Sequence, residues 1–541
     1  MLTSAHAFLS VLHAHGIDRI FQVPGESFIG LLDAVADFPG IDLITCRHES
    51  GAGFMACADG RLTRRPGVLM VSRGPGASNA SIAIHTAQQD AIPLVMLVGQ
   101  VPRKDLRREA FQEIDYSALF GRVAKWVFEV TDPAQMAEVA YKAVRVATSG
   151  TPGPVVIAIP EDMQQQPADR VNWQAKSHDS LQPSGEGLER VRALLTHAQR
   201  PLVIAGGALD VPGGREALLS FAESWQVPVC VAFRRHDIFP NSHPLFVGDL
   251  GLANPPGQLE TLHRSDLIVA LGTRLDDVTS QNFSFPRYPQ PAQALVHCYP
   301  DPHAVGLHFA TEVGLPCHPL GLLQALTPPG ELHSLVARAR WSGTLRQLHQ
   351  AHAAWPLRPA EDGVRFSEVV RQLKALVPSD VRICLDAGTF AAPVYRHFGF
   401  DFPQRLMAPL SGAMGYGTPA AVATALREPQ HPVVCMVGDG GFMMTGNEMI
   451  LAVQRHLPIL FILANNASYA SIRIHQARAY PERHPGTDLF NPQFAALASA
   501  FGMPVETVDD EAAIAAALQR GLTAKGPYFI EVKTSLKVTL P

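Results

Sequence analysis

The sequence predicts an α/β protein of three doubly wound parallel-sheet domains, and three observations carry that prediction. Short apolar runs, many ending in glycine, asparagine or aspartate, alternate with longer segments of helical periodicity, the rhythm of parallel strands joined by crossover helices. A chain of 541 residues is too long for a single core, and its 47% apolar content is that of a globular protein. Two loose, Pro- and polar-rich stretches, around 164–185 and 355–363, divide the rhythm into blocks expected to span 1–165, 186–330 and 364–541.

In the first block, strands are expected at 20–23, 43–46, 68–72, 94–98 and 155–159. The opening MLTSAHAFLSVLHAHGIDRIF has apolar residues at helical spacing, three histidines, and neither a basic start nor a cleavage site. It reads as the first helix of the fold rather than a signal peptide. The second block offers strands at 201–206, 227–233, 267–272 and 294–299, and fades near Pro328-Pro329. Its glycines at Gly206-Gly207 and Gly213-Gly214, with the run Gly272 to Asp277, suggest a Rossmann-like domain without a full GxGxxG. The third block gives 381–386, 433–437, 459–463 and 528–532.

Composition excludes several functions. A net charge of −5 with no basic tail argues against nucleic acid as a partner, and no apolar stretch reaches the length of a membrane span. Seven scattered cysteines without a CxxC read as reduced core thiols of a cytoplasmic protein.

The chemistry concentrates between Val433 and Arg473, read as strand, glycine turn, helix, strand. Gly438-Asp439-Gly440-Gly441 ends the first strand and Asn465-Asn466 ends the second. A right-handed crossover sets those ends side by side, at the edge where open α/β sheets take ligands. One carboxylate, one amide oxygen and nearby carbonyls make a hard oxygen set of the kind Mg²⁺ adopts when phosphates complete its shell. The glycines let backbone approach a diphosphate, whose charge the following helix start favours. Either half alone is an ordinary turn; the pair at this spacing reads as a site.

This GDG…NN pattern resembles the metal-diphosphate motif of thiamine diphosphate (ThDP) enzymes, and the resemblance runs along nearly the whole chain, most closely to the acetolactate-synthase-like group. It implies a pyrimidine-binding first domain, a Rossmann-like middle domain and a diphosphate-binding third domain. It further implies Mg²⁺ on Asp439, Asn466 and the backbone carbonyl of Ser468, with Gly438, Gly440 and Gly441 beside the diphosphate. The segment from Asp386 to Phe390 resembles the family's GQH-type diphosphate turn, adding Gly388, Thr389 and Phe390, the last two as departures from it. The segment from Ser411 to Gly417 is similar to the one that wedges a large apolar side chain, here Met414, beneath a bent cofactor, with Gly412 next to it.

In the first domain, Arg47-His48-Glu49, a small-residue helix and then Ser72 to Asn79 resemble the pyrimidine-binding side. Glu49 falls on the family's carboxyl that hydrogen-bonds N1′ of the aminopyrimidine and promotes the imino tautomer, whose nitrogen removes the thiazolium C2 proton. Taken alone, a glutamate there serves a helix dipole equally well. Val23-Pro24-Gly25-Glu26 resembles the first strand-end turn, bringing Pro24 and Gly25 to the cofactor. Gln100 to Arg103 and Ala110 to Asp115 look like acetolactate-synthase signatures, which give Phe111 a packing role and Gln112 a hydrogen-bonding role at the reacting centre. His85, Gln88 and Gln89 are further candidates to face it.

The resemblance also implies a homodimer or homotetramer whose sites join the first domain of one subunit to the third of another. Gly272 to Asp277 is similar to an FAD-contacting segment, although related enzymes bind another nucleotide there or none. After Asn466 the likeness thins: a tryptophan that shapes the acceptor pocket of acetolactate synthases is His475 here, and a methionine is Ser471. The chain also ends at Pro541 without the family's closing arm. Arg473, His475 and Arg478 are then either a carboxylate-binding group or a solvated surface. The expected activity is ThDP- and Mg²⁺-dependent decarboxylation of a 2-oxo acid with carboligation. The alternatives are a simple decarboxylase, a benzaldehyde-lyase-like enzyme, and a catalytically silent ThDP-binding regulatory protein.

Overall fold

The computed structural model describes residues 2–169, 173–175, 181–252, 254–327, 335–356 and 358–538. Pro328, Pro329 and Pro541, and part of the expected linker at 164–185, lie outside them.

Three six-stranded sheets form, with every strand pairing parallel. The first contains β1 to β6, namely Arg19–Gln22, Asp42–Thr45, Gly67–Val71, Leu94–Gln100, Trp126–Glu129 and Pro154–Pro160. The second contains β7 to β12: Pro201–Ala205, Val229–Val231, Phe246–Asp249, Leu267–Leu271, Ala294–Cys298 and Val313–Leu315. The third contains β13 to β18: Arg382–Leu385, Arg405–Met407, Val433–Gly438, Ile459–Asn465, Val505–Val508 and Tyr528–Lys533.

The first and third sheets share one topology, β2-β1-β3-β4-β6-β5 matching β14-β13-β15-β16-β18-β17. The middle sheet runs β9-β8-β7-β10-β11-β12, the doubly wound dinucleotide order, so the Rossmann-like expectation holds despite the broken glycine pattern. Central strands such as β4, β6 and β16 are buried along their whole length. That burial on both faces is why they read as uninterrupted apolar runs.

Five strands escaped the sequence reading: β5, β9, β12, β14 and β17. Each is an outermost strand of its sheet. With one neighbour and partial exposure, as along β5, a strand needs no long apolar run. The helix Leu335–Ala353 was also unread, and it belongs with the middle domain. Its Trp341 and Leu345 join that domain's core, and the buried Arg338 donates to the carbonyls of Leu195, Ala198 and Trp225.

One apolar core runs without a break from the first sheet to the third. The helices Glu49–Thr63 and Gly417–Arg427 pack together at this junction, both built of small residues that allow close approach. Phe54 meets Tyr416 edge-on with ring centroids 5.6 Å apart, and Arg427 grips Asp18 and Asp59 through four bonds of 2.7–3.0 Å. The opening helix, Ser4–Ala14, buries Phe8, Leu9, Val11 and Leu12 in the core on the other face of the first sheet. All seven cysteines are free and buried, and among the described residues no helix is long and apolar enough to cross a membrane.

Candidate functional site

β15 and β16 are neighbours in register, with Gly438 opposite Ala464, so Asp439 and Asn466 emerge side by side at their carboxyl ends. Asp439 is buried: its Oδ1 accepts from the Gly440 amide at 2.9 Å, and its Oδ2 from Asn491 Nδ2 at 2.8 Å. Burial pushes its carboxyl above the usual range, against the pull of Asn491 and the backbone amides. Asn466 Oδ1 accepts from the Ser468 amide at 3.2 Å, and the Ser468 hydroxyl donates to the Thr487 carbonyl. Among the described residues no three His, Cys, Asp or Glu side chains gather as a metal site. A cation on Asp439 must therefore complete its shell with neutral oxygens and with oxygens from a ligand.

Those oxygens face a cavity of about 600 Å³ between the third and middle domains. Its wall brings together the expected residues of the third domain: Gly388, Thr389 and Phe390 from one turn, Gly412 and Met414 from another, Gly438 to Gly441, Asn466 and Ser468. Gly440 passes so close beneath Tyr469 that a Cβ would lie 2.4 Å from the ring.

The turn bearing Met414 is held by two buried carboxylates. Asp386, at the end of β13, accepts from Gly415 N at 2.9 and 3.0 Å, Gly417 N at 3.3 Å and Ala387 N at 2.6 Å. Burial raises its carboxyl to about 6. Asp90, from the first domain, accepts from the Leu410 and Ser411 amides at 2.8 Å each. Gly412 and Gly415 take φ of +68° and +86°, a left-handed backbone that favours glycine. The middle domain adds Arg234, His236 and Asp249 to the cavity wall. Asp249 is half-buried, and against the desolvation this brings, His236 at 3.5 Å and the nearby His349 and His352 hold its carboxyl below the usual range.

The first-domain residues assemble elsewhere. Glu49 opens the helix Glu49–Thr63, and its Oε2 accepts from Asn79 Nδ2 at 2.9 Å. A Cβ on Gly76 would lie 3.4 Å from the other Glu49 oxygen, and one on Gly25 would lie 2.5 Å from Ser72 Cβ. Gly74 donates to the Gln112 carbonyl at 3.0 Å, which ties the 72–79 turn to the loop carrying Phe111. Pro24 is exposed and Phe111 is 78% exposed. None of Pro24, Gly25, Glu49, Phe111 and Gln112 stands in the wall of the 600 Å³ cavity, so within one chain the expected residues fall into two separate groups. His85, Gln88 and Gln89 stay out of that wall too, with Gln89 bonded to Gln88.

The helix Ala470–Ala479 presents Ser471, Ile474, His475 and Arg478 to the cavity. Of the three cations that could either bind a carboxylate or lie on a solvated surface, His475 and Arg478 line the cavity while Arg473 turns away to Asp488 at 2.5 Å. A second cavity, of about 530 Å³, opens at the carboxyl ends of β7, β10 and β11 and is lined by Gly207, Gly272, Arg274 and Asp276, with Arg64, Arg145 and Arg235.

Sequence reasoning placed Asp386 at the start of the diphosphate turn without giving it a role, and missed Asp90 and Asn491. Asp90 and Asn491 lie on distant segments, and only the fold brings them in.

Three parts of the thiamine pyrophosphate enzyme family match this chain: the N-terminal TPP binding domain over residues 2–119, the central domain over 188–326 and the C-terminal TPP binding domain over 386–532. The chain is 30% identical over 545 residues to the acetolactate synthase large subunit of Parasynechococcus marenigrum, covering 98% of this chain and 87% of that one. It is 29% identical over 534 residues to the acetolactate synthase isozyme 2 large subunit of Escherichia coli, covering 98% and 95%.

Proposed function

The chain belongs to the ThDP-dependent enzymes of the acetolactate-synthase type, and from that membership we propose that it uses ThDP and Mg²⁺ to decarboxylate a 2-oxo acid and join the remaining fragment to a second carbonyl. The observation that carries this reading is the cavity in which Asp439, Asn466, Met414 and three glycine turns converge.

The residues fit both groups. A single buried carboxylate among neutral oxygens leaves the charge balance of a divalent cation to phosphate oxygens, which is how Mg²⁺ is held at phosphate sites. The glycines at 438, 440 and 441 and the turn at 388–390 admit a diphosphate close to backbone. When bound, ThDP supplies a thiazolium carbon that adds to the substrate carbonyl and accepts the electrons left by departing CO₂.

The chain's own residues do the rest. Asp439, Asn466 and the Ser468 carbonyl would hold the metal, and Met414, on a turn anchored by Asp386 and Asp90, would support the cofactor. Glu49 holds a proton at the pyrimidine N1′ from the first domain of a second copy, Gln112 hydrogen-bonds the substrate and Phe111 excludes water beside it. The separation of the two residue groups, read here as half-sites, supports this homodimer or a tetramer of two such pairs. So does the exposure of Phe111, Met443 and Phe490, apolar side chains that a second subunit would cover. A cytoplasmic location is supported by seven free thiols.

His475 and Arg478 support a substrate whose far end is anionic, since both face the cavity one helical turn apart. The arginine-lined middle cavity supports a bound nucleotide, FAD by the likeness of Gly272 to Asp277, and a flavin absorbance band in the purified protein tests it. Products formed from pyruvate, with and without an acceptor aldehyde, test the main reading. Acetolactate or a mixed carboligation product supports it. Acetaldehyde and CO₂ alone favour the simple decarboxylase, and cleavage of an added aldehyde dimer without use of pyruvate favours the lyase.

A further inference from the structure

Glu448 closes the segment that Asp439 opens: the helix Asp439–Thr445 runs directly into the single turn Gly446–Glu448. Its side chain is fully buried, and it stands outside the wall of the 600 Å³ cavity. Its carboxylate reaches into the first domain instead. Oε1 accepts from the backbone amides of Arg47 and His48, each at 2.9 Å, and Oε2 lies 3.2 Å from the Arg47 amide. Those two amides immediately precede Glu49.

Amides at a helix start have no partner within the helix and need outside acceptors. The His48 ring satisfies Ser50 N, while Glu448 takes the two amides before Glu49. Gly51 makes the room for this, because a Cβ there would lie 2.5 Å from Glu448 Oε1. Burial raises the Glu448 carboxyl to about 7, opposed chiefly by the same two amides. A buried carboxyl is a costly way to satisfy backbone, so its gain must lie in what it holds in place.

We propose that Glu448 is a positioning residue for Glu49, fastening the turn that presents the Glu49 carboxyl to the segment that begins with the metal ligand Asp439. Because Glu49 and Asp439 of one chain lie in different half-sites, the fastening links two active sites of the dimer rather than two walls of one. This inference rests on the ThDP reading above.

The test is the rate at which C2 of bound ThDP exchanges its proton for deuterium, read by NMR after acid quench, alongside the affinity for ThDP with Mg²⁺. Glu448→Ala slows exchange by about 100-fold, the cost of roughly 1 Å of misplacement, while cofactor affinity stays near wild type. Glu448→Gln, which keeps an acceptor oxygen, restores most of the rate. Gly51→Ala reproduces the loss, and adding it to Glu448→Ala lowers the rate little further, because both break one contact. Should Glu448→Ala fail to fold, the Gln and Gly51 variants carry the test. Wild-type exchange in Glu448→Ala, or affinity falling in step with exchange, overturns the proposal. A wild-type protein that binds no ThDP, or exchanges C2 no faster than free ThDP, defeats the parent reading first.

Discussion

Replacing Asp386 with asparagine isolates how the Met414 turn is held. The native carboxylate accepts from Ala387, Gly415 and Gly417 amides, using both oxygens toward Gly415. Asparagine keeps one acceptor oxygen and sets an NH₂ against the amides its partner oxygen served. At least one buried donor loses its bond, costing about 1–3 kcal/mol. A second effect depends on pH. Burial raises Asp386 to about 6 from 3.8, so folding takes up a proton. The stability this contributes is complete below the unfolded value of 3.8 and is lost as pH rises through about 6. Roughly two pKa units correspond to about 3 kcal/mol, with no discount for solvent because the side chain is fully buried. Asparagine does not titrate. The margin of wild type over Asp386→Asn is therefore widest at the acid end, narrows by about 3 kcal/mol toward neutrality and is flat beyond. Urea unfolding of both apo proteins across this range measures it. A margin independent of pH, or one that widens toward alkaline pH, refutes the reasoning.

Glu49→Gln abolishes turnover and slows C2 exchange of bound ThDP, while calorimetry still detects cofactor binding. Asp439→Ala eliminates Mg²⁺-dependent ThDP binding in the same titration. Asn491→Ala, which frees Asp439 Oδ2 from its 2.8 Å bond, weakens Mg²⁺ affinity by about 10–100-fold while leaving the fold intact by circular dichroism. Arg478→Ala lowers kcat/KM for 2-oxoglutarate more than for pyruvate; equal losses on the two acids would assign the cavity-facing cation no part in selecting an anionic substrate.

Central strands declared themselves in the sequence because burial on both faces demands unbroken apolar runs, as along β4, β6 and β16. The edge strands did not, since β12 and β14 are three residues long and β5 is half-buried throughout. On the site, motifs at strand ends pointed to Asp439, Asn466, Glu49 and the Met414 turn, of which the structure gathers all but Glu49 at one cavity. What motifs lack is direction. Arg473 and Arg478 look alike on paper, but the helix turns one toward Asp488 and the other into the cavity. Carboxylates that hold backbone across domains, as Asp90 does for Leu410 and Ser411, carry no local pattern, because their partners are amides hundreds of positions away.

The central claim meets its most direct test in calorimetric titration of the apo protein with ThDP, with and without Mg²⁺. The account predicts saturable binding that requires the metal and disappears in Asp439→Ala. Binding that is indifferent to Mg²⁺ or to Asp439, or no binding at all, would contradict it and reduce the GDGG and Asn-Asn segments to turns.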